Sequence, residues 1–171
     1  EGEEVTIASS GHDEGMGVSV QEYYCVKLIA TKITYEGGWQ SQNTIMQKLE
    51  GPIGEGEVIY PNGDRFKGFF HLSYACINGP AYAAEGRYEF ADGSYIEKAW
   101  ITTANDFNPD HWGLKGVFRI HHPGGYDSIA MFIRGKRYGF ELGLPESKYS
   151  NPWVSEWFEG AEIIRYSGPY E

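Results

Sequence analysis

A ten-residue pattern occurs twice in this chain, thirty positions apart. Gly54-Glu55-Gly56-Glu57-Val58-Ile59-Tyr60-Pro61-Asn62-Gly63 aligns with Ala84-Glu85-Gly86-Arg87-Tyr88-Glu89-Phe90-Ala91-Asp92-Gly93. Gly56 falls on Gly86, Tyr60 on Phe90, and Asn62-Gly63 on Asp92-Gly93. A weaker third copy runs from Gly116 through Val117, Phe118, Arg119, Ile120, His121, His122 and Pro123 to Gly124-Gly125. Repetition at a fixed period constrains architecture strongly, because one small unit cannot bury its apolar face without its neighbours. It also moves the functional expectation from catalysis towards binding, since such arrays make long surfaces rather than one closed pocket.

Each copy reads as a β-hairpin. Val58 and Tyr60 alternate with Glu57 and Ile59, Asn62-Gly63 supplies a turn with positive φ, and Phe66, Gly68 and Phe70 then alternate with Arg65, Lys67 and Phe69. In the second copy Tyr88 and Phe90 alternate with Arg87 and Glu89, Asp92-Gly93 turns, and Ile96 to Trp100 returns. Outside the repeats, Tyr23 to Tyr35 is rich in β-branched and aromatic residues and reads as one long strand or two short ones. Ser41 to Glu50 reads as a short helix or a polar loop, with Ile45, Met46 and Leu49 at helical spacing. Met131 to Phe140 reads as a strand and turn, Pro145 to Pro152 as a loop, and Val154–Gly160 with Ala161–Tyr166 as the last two strands. Ser73–Pro80 and Thr102–His111 are long connectors. Residues 1–20 are acidic and without periodicity, and read as a flexible tail ahead of a single domain over residues 21–171. The expected fold is therefore all-β: an antiparallel hairpin meander, rolled or capped into a curved sheet by the N-terminal strand and the C-terminal tryptophan segment.

With 171 residues and 41% apolar content the chain can bury a core. A formal net charge of −10 argues against nucleic acid and against an anionic membrane surface, which both need clustered Lys and Arg. The two cysteines, Cys25 and Cys76, do not make a disulfide framework and read as reduced, partly buried thiols. No apolar run reaches the ~18 residues of a spanning helix. No signal peptide is visible, which points to the cytoplasm, although the chain starts at Glu1 rather than Met and export stays open.

The sequence Gly-x-Gly-x-x-x-[Tyr/Phe]-x-[Asn/Asp]-Gly, followed by an aromatic, a glycine and another aromatic, resembles the MORN repeat. Gly54 through Phe69 fits throughout, and Glu85 through Ser94 fits in its first half before Ile96 and Lys98 replace the expected aromatic and glycine. Tyr35-Glu36-Gly37-Gly38-Trp39 is similar to the closing half of a preceding unit, and Arg134–Gly139 and Glu156–Gly160 to inter-unit segments. The resemblance covers Tyr35 to Gly160 as an irregular array. It implies stacked hairpins in a curved sheet, and a scaffold or interaction module rather than an enzyme.

The residues expected to bind are the rings on the repeated hairpins: Tyr60, Phe69, Tyr88, Tyr95 and Trp100. If one face of a single-layer sheet stays uncovered, these rings receive a protein partner, expected to be a basic amphipathic segment steered by acidic side chains at the rim. The competing expectation is that the rings pack against one another as core. Self-association through a sheet edge is a further possibility. The rival function is a small β-enzyme acting on a small molecule or glycan, with acid–base residues drawn from Glu89, Glu97, His121, Glu141 and Glu156. His121-His122 is the sole histidine pair, but adjacent strand residues face opposite ways, so a zinc site would need a bend and a third ligand such as Asp127 or His111. Neither a metal nor a cofactor is implied.

Overall fold

The computed structural model describes residues 8–13, 20–29, 32–43, 48–73, 81–103, 108–145 and 152–167. Among them are twelve strands in one open antiparallel sheet whose spatial order is the chain order. They are β1 (Ala8–Asp13), β2 (Val20–Ile29), β3 (Thr34–Asn43), β4 (Lys48–Ile59), β5 (Arg65–Ser73), β6 (Ala81–Glu89), β7 (Tyr95–Thr103), β8 (Gly116–His121), β9 (Asp127–Ile133), β10 (Lys136–Leu144), β11 (Trp153–Phe158) and β12 (Ala161–Ser167). The fold is thus the all-β hairpin meander that the turn signals predict. The aromatic N-terminal stretch resolves into two strands, paired from Val20↔Asn43 to Ile29↔Thr34.

Two expectations change. Ala8–Asp13, within the segment read as a tail, is an edge strand paired with β2 through Ala8↔Cys25 and Asp13↔Gln21. The helical spacing in Ser41–Glu50 does not produce a helix where the chain is described: Ser41 pairs with Glu50 and Asn43 with Lys48 across a hairpin. Pairing along the neighbouring strands outweighs a weak three-residue apolar pattern. Residues 44–47 lie outside the described residues, as do Cys76, most of the Ser73–Pro80 connector, 104–107 and 146–151. Cys25 is exposed rather than partly buried.

The repeated turns share one hydrogen-bond scheme. Tyr60 N donates to Asp64 O and Gly63 N to Tyr60 O; Phe90 N to Ser94 O and Gly93 N to Phe90 O; His122 N to Tyr126 O and Gly125 N to His122 O. The last residue of each three-residue loop is a glycine at φ 91°, 88° and 82°, as a type I turn closed by a left-handed residue requires. The third repeat, weak in sequence, is therefore complete in its turn. Arg134-Gly135 and Glu159-Gly160 make tighter two-residue turns with both residues at positive φ.

Alternation divides the sheet into an inner and an outer face. On the inner face Gly37, Gly56, Gly68 and Gly86 stand opposite one another across β3–β6, and Ala99 of β7 completes the row. A bulge at Glu97-Lys98 moves Ala99 into the place where the repeat pattern expects glycine at residue 98. The missing side chains make room for rings lying flat on the sheet: a Cβ on Gly56 would come within 2.7 Å of the Tyr35 ring, and one on Gly68 within 2.7 Å of Phe66. Tyr35, Phe66, Phe70, Ile96 and Ile101 are fully buried there.

The cover comes from the connector between β7 and β8. Trp112 is buried against Tyr35 and Phe70, with ring centroids 5.6 and 6.2 Å away, and its carbonyl accepts the Tyr60 hydroxyl. Leu114 bridges to Ile101, and its carbonyl accepts Gly135 N. The cap is thus this connector, rather than the N-terminal strand or the C-terminal tryptophans. It also thins the pairing: β7 and β8 share the strand pair Tyr95↔His121, and the far end of β7 is held by the connector instead, through Thr102 N to Gly113 O and Lys115 N to Trp100 O. Phe90, stacked on Phe132 at 5.9 Å, ties the two halves together on the inner side.

Candidate functional site

The outer face changes character along the sheet. Over β2–β6 a cross-strand row reads Lys27, Glu36, Glu57, Lys67 and Arg87, a solvated line of charges. Over β8–β12 the same face is apolar. Val117, Met131 and Tyr138 form one row, and Ile129, Leu142, Val154 and Tyr166 another. Phe140, Glu156 and Ile164 form a third, and Phe158 meets Tyr138 edge-on at 5.7 Å. Val117 is 63% exposed and Phe140 62%. Eight large apolar side chains here are 37–63% exposed, which at about 150–250 Å² each leaves on the order of 800 Å² uncovered. That matches one partner's share of a standard protein interface, about 800 Å². It exceeds the ~300–600 Å² of the largest patch on a typical monomer.

The five rings expected to form a binding face do not share one. Tyr60 and Tyr88 are inner-face core, 6% and 4% exposed, with centroids 5.6 Å apart. They are unavailable to a partner, because Trp112 and its connector cover that face. Phe69, Tyr95 and Trp100 are on the outer face. Phe69 is 58% exposed and stands across Glu85 from Trp100, which leans on His71. Tyr95 is already engaged, stacked on His121 at 4.9 Å with the Arg87 guanidinium 3.9 Å over its ring.

The five acid–base candidates do not converge either. Glu89 and Glu97 are exposed on the outer face, and Glu156 lies on that face between Phe140 and Ile164. His121, also outside, bonds Asp127 Oδ1 through Nδ1 at 2.8 Å. Glu141 alone of the five is on the inner face, almost fully buried. Its companion is His122 rather than His121. Ser128 Oγ donates to Glu141 Oε1 at 2.6 Å and lies 2.8 Å from His122 Nε2. One hydroxyl proton serves one acceptor, so His122 donates from Nε2 to Ser128. Burial holds His122 below the ordinary histidine value in spite of the Glu141 carboxylate. Serine stands between histidine and carboxylate here, which differs from a nucleophile triad, in which histidine stands between the other two.

Arg137 completes this cluster. It lies 3.5 Å from Glu141 Oε2, with its guanidinium 4.8, 5.4 and 5.7 Å from the rings of Trp157, Phe90 and Phe132. Asp92 faces it with its carboxyl held below the usual range, because hydrogen bonds from Ser94 and the charges of Arg137 and His122 outweigh partial burial. Sequence reasoning missed Arg137, His122 and Trp157 as a group, and the basic run Arg134-Gly135-Lys136-Arg137 was the one signal for it. No protein-family model matches this chain, and no curated protein matches it.

Proposed function

We propose that the protein is an interaction module, and that its docking surface is the outer face of β8–β12 rather than the rings of the repeated hairpins. The observation that carries this is the contrast within one sheet: outside β2–β7 a charged row and four exposed large apolar side chains, Tyr23, Ile29, Ile59 and Phe69, and outside β8–β12 eight such side chains making an uncovered apolar area of interface size. The occupant is a basic amphipathic segment of a protein partner. Glu156 sits inside the patch between Phe140 and Ile164 with no cation beside it among the described residues, while Arg119–Asp127 is already paired at the rim. A partner lysine or arginine would meet that carboxylate, and its apolar face would cover Phe140, Leu142 and Tyr166.

The chain also reads as an irregular MORN-like array. Support comes from three turns with one hydrogen-bond scheme and from the glycine row that lets Tyr35 and Phe66 lie on the sheet.

A synthetic leucine–lysine amphipathic helix tests the docking surface. Titrated against 15N-labelled protein, it is expected to shift resonances of Phe140, Leu142 and Ile164 and leave those of Lys67 and Arg87 in place. Phe140→Asp and Glu156→Lys, both at half-buried or exposed positions, should each weaken binding about tenfold with unchanged circular dichroism. Equal affinity of both variants, or shifts centred on β5–β6, would remove the assignment. Self-association through the same face would appear as a dimer in sedimentation that Phe140→Asp abolishes.

A further inference from the structure

The inner side of the sheet leaves a cleft where the two halves meet. Its volume is about 330 Å³, and its walls include Asp64, Phe90, Asp92, Lys136, Arg137 and Trp157. A second lobe of about 260 Å³ continues from it past Lys136 towards Arg134 and Asp110. Volumes of this order fit small ligands.

The polar groups in these walls are unequally satisfied. The carboxylates are engaged from within the protein. Asp64 accepts the Tyr88 hydroxyl at 2.7 Å and Ala91 N at 2.9 Å, and Asp92 accepts Ser94 N at 2.8 Å and Ser94 Oγ at 2.5 Å. The donors are not. Among the described residues no hydrogen bond reaches the Arg137 guanidinium, whose nearest carboxylate oxygen is Glu141 Oε2 at 3.5 Å. Trp157 Nε1 is buried with no acceptor. Lys136 is exposed at the cleft mouth. On the acceptor side Glu141 Oε2, buried beside Arg137, is without a hydrogen bond among the described residues. A guanidinium carries five donors in a flat fork, so one carboxylate oxygen at that distance leaves most of them for acceptor oxygens of a ligand. The charges of the walls balance, with Asp64, Asp92 and Asp110 against Arg134, Lys136 and Arg137. The cations are gathered within four residues, and Asp64 and Asp92 already accept hydrogen bonds from the protein. The rings of Phe90, Phe132 and Trp157 that flank the guanidinium provide flat apolar walls beside it.

From this imbalance we infer a small-molecule site in the cleft, separate from the docking surface on the opposite face, that takes an oxyanion carried on a flat ring. Arg137 receives two oxygens of the anion through its fork, Lys136 neutralises it from the mouth, and the ring lies along Phe90 and Trp157. The oxyanion is a carboxylate or a phosphate, chemistries that share the two-oxygen edge Arg137 matches.

Phenyl phosphate, benzoate and inorganic phosphate separate the contributions. Each is titrated into the protein while the Trp157 indole N–H resonance is followed, assigned with Trp157→Phe. One or both ring-bearing anions are expected to move that resonance saturably, with a Kd of ~0.1–1 mM, and to bind about tenfold tighter than inorganic phosphate. Preference between phenyl phosphate and benzoate identifies the anion. Lys136→Gln, at an exposed position with no bearing on folding, should weaken binding about fivefold, and Arg137→Lys, which keeps the charge and removes the fork, by more. Absence of a saturable shift with both ring-bearing anions, inorganic phosphate binding as tightly as they do, or an affinity unchanged in Lys136→Gln would each overturn the assignment.

Discussion

Asp64 follows Gly63 in the first repeated turn, yet its carboxylate is buried and reaches into the second turn, accepting Tyr88 Oη and Ala91 N. One side chain thereby joins two units. Asp64→Ala strands both donors, at about 1–3 kcal/mol each, and is expected to lower the urea-derived unfolding free energy by about 2–4 kcal/mol. Asp64→Asn, which keeps an acceptor oxygen, should lose less. The glycine row makes a sharper contrast. A Cβ on Gly86 would stand 2.2 Å from Lys67 O, a backbone atom of the adjacent strand, so Gly86→Ala has to push strands apart and should cost about 1–3 kcal/mol or more. Gly54 is at φ 74° with open space around it, so Gly54→Ala meets conformational strain alone, about 1–2 kcal/mol. If the two variants melt alike, close approach is not what the glycine row is for.

Among the elements, the β7–β8 connector matters most to the core. Trp112→Ala uncovers Tyr35 and Phe70 and removes a buried indole, for an expected loss of about 3–5 kcal/mol by denaturant titration. The hairpins were legible in the sequence because Asn62-Gly63 and Asp92-Gly93 fix their turns locally. So was the phase within each strand, with Phe69 opposite in phase to Phe66 and Phe70. The face that becomes core was not legible. It depends on Trp112, which is fifty-two residues from Tyr60 whose hydroxyl it receives. The bulge at Glu97-Lys98 adds a second obstacle, because it puts Tyr95 and Trp100 on one face despite their odd spacing. β1 escaped notice since Ala8–Asp13 offers backbone pairing and almost no β-forming side chains. The outer apolar face was hidden for a different reason. A strand apolar on both phases, such as β9, looks like one buried on both sides.

At the scale of the whole molecule, three inner-face tyrosines set a limit at high pH. Burial raises the hydroxyl pKa of Tyr35, Tyr60 and Tyr88, and for Tyr60 and Tyr88 the Asp64 carboxylate adds to it. Each favours the neutral form in the fold, so their contribution is complete below the unfolded value of about 10 and is lost as pH climbs above it. Stability should hold to about pH 10 and then fall, with the phenolate absorbance of these three rings appearing together with loss of the sheet signal. Titration of all thirteen tyrosines before unfolding would contradict the buried assignment. The sparse pairing of β7 with β8 and its connector, fewer backbone bonds than at the neighbouring strand pairs, predicts that hydrogen exchange proceeds in two blocks, with β8–β12 exchanging apart from β2–β7.

The strand order equals the chain order, and this has a consequence for how the molecule is made. Each strand leaving the ribosome finds its hydrogen-bonding partner in the strand just before it, so pairing can keep pace with synthesis and no strand waits for one made much later. The inner rings of β3–β7 are the exception. They stay without a lid until residue 112 has emerged, and through that interval the nascent chain carries its stickiest surface in the open.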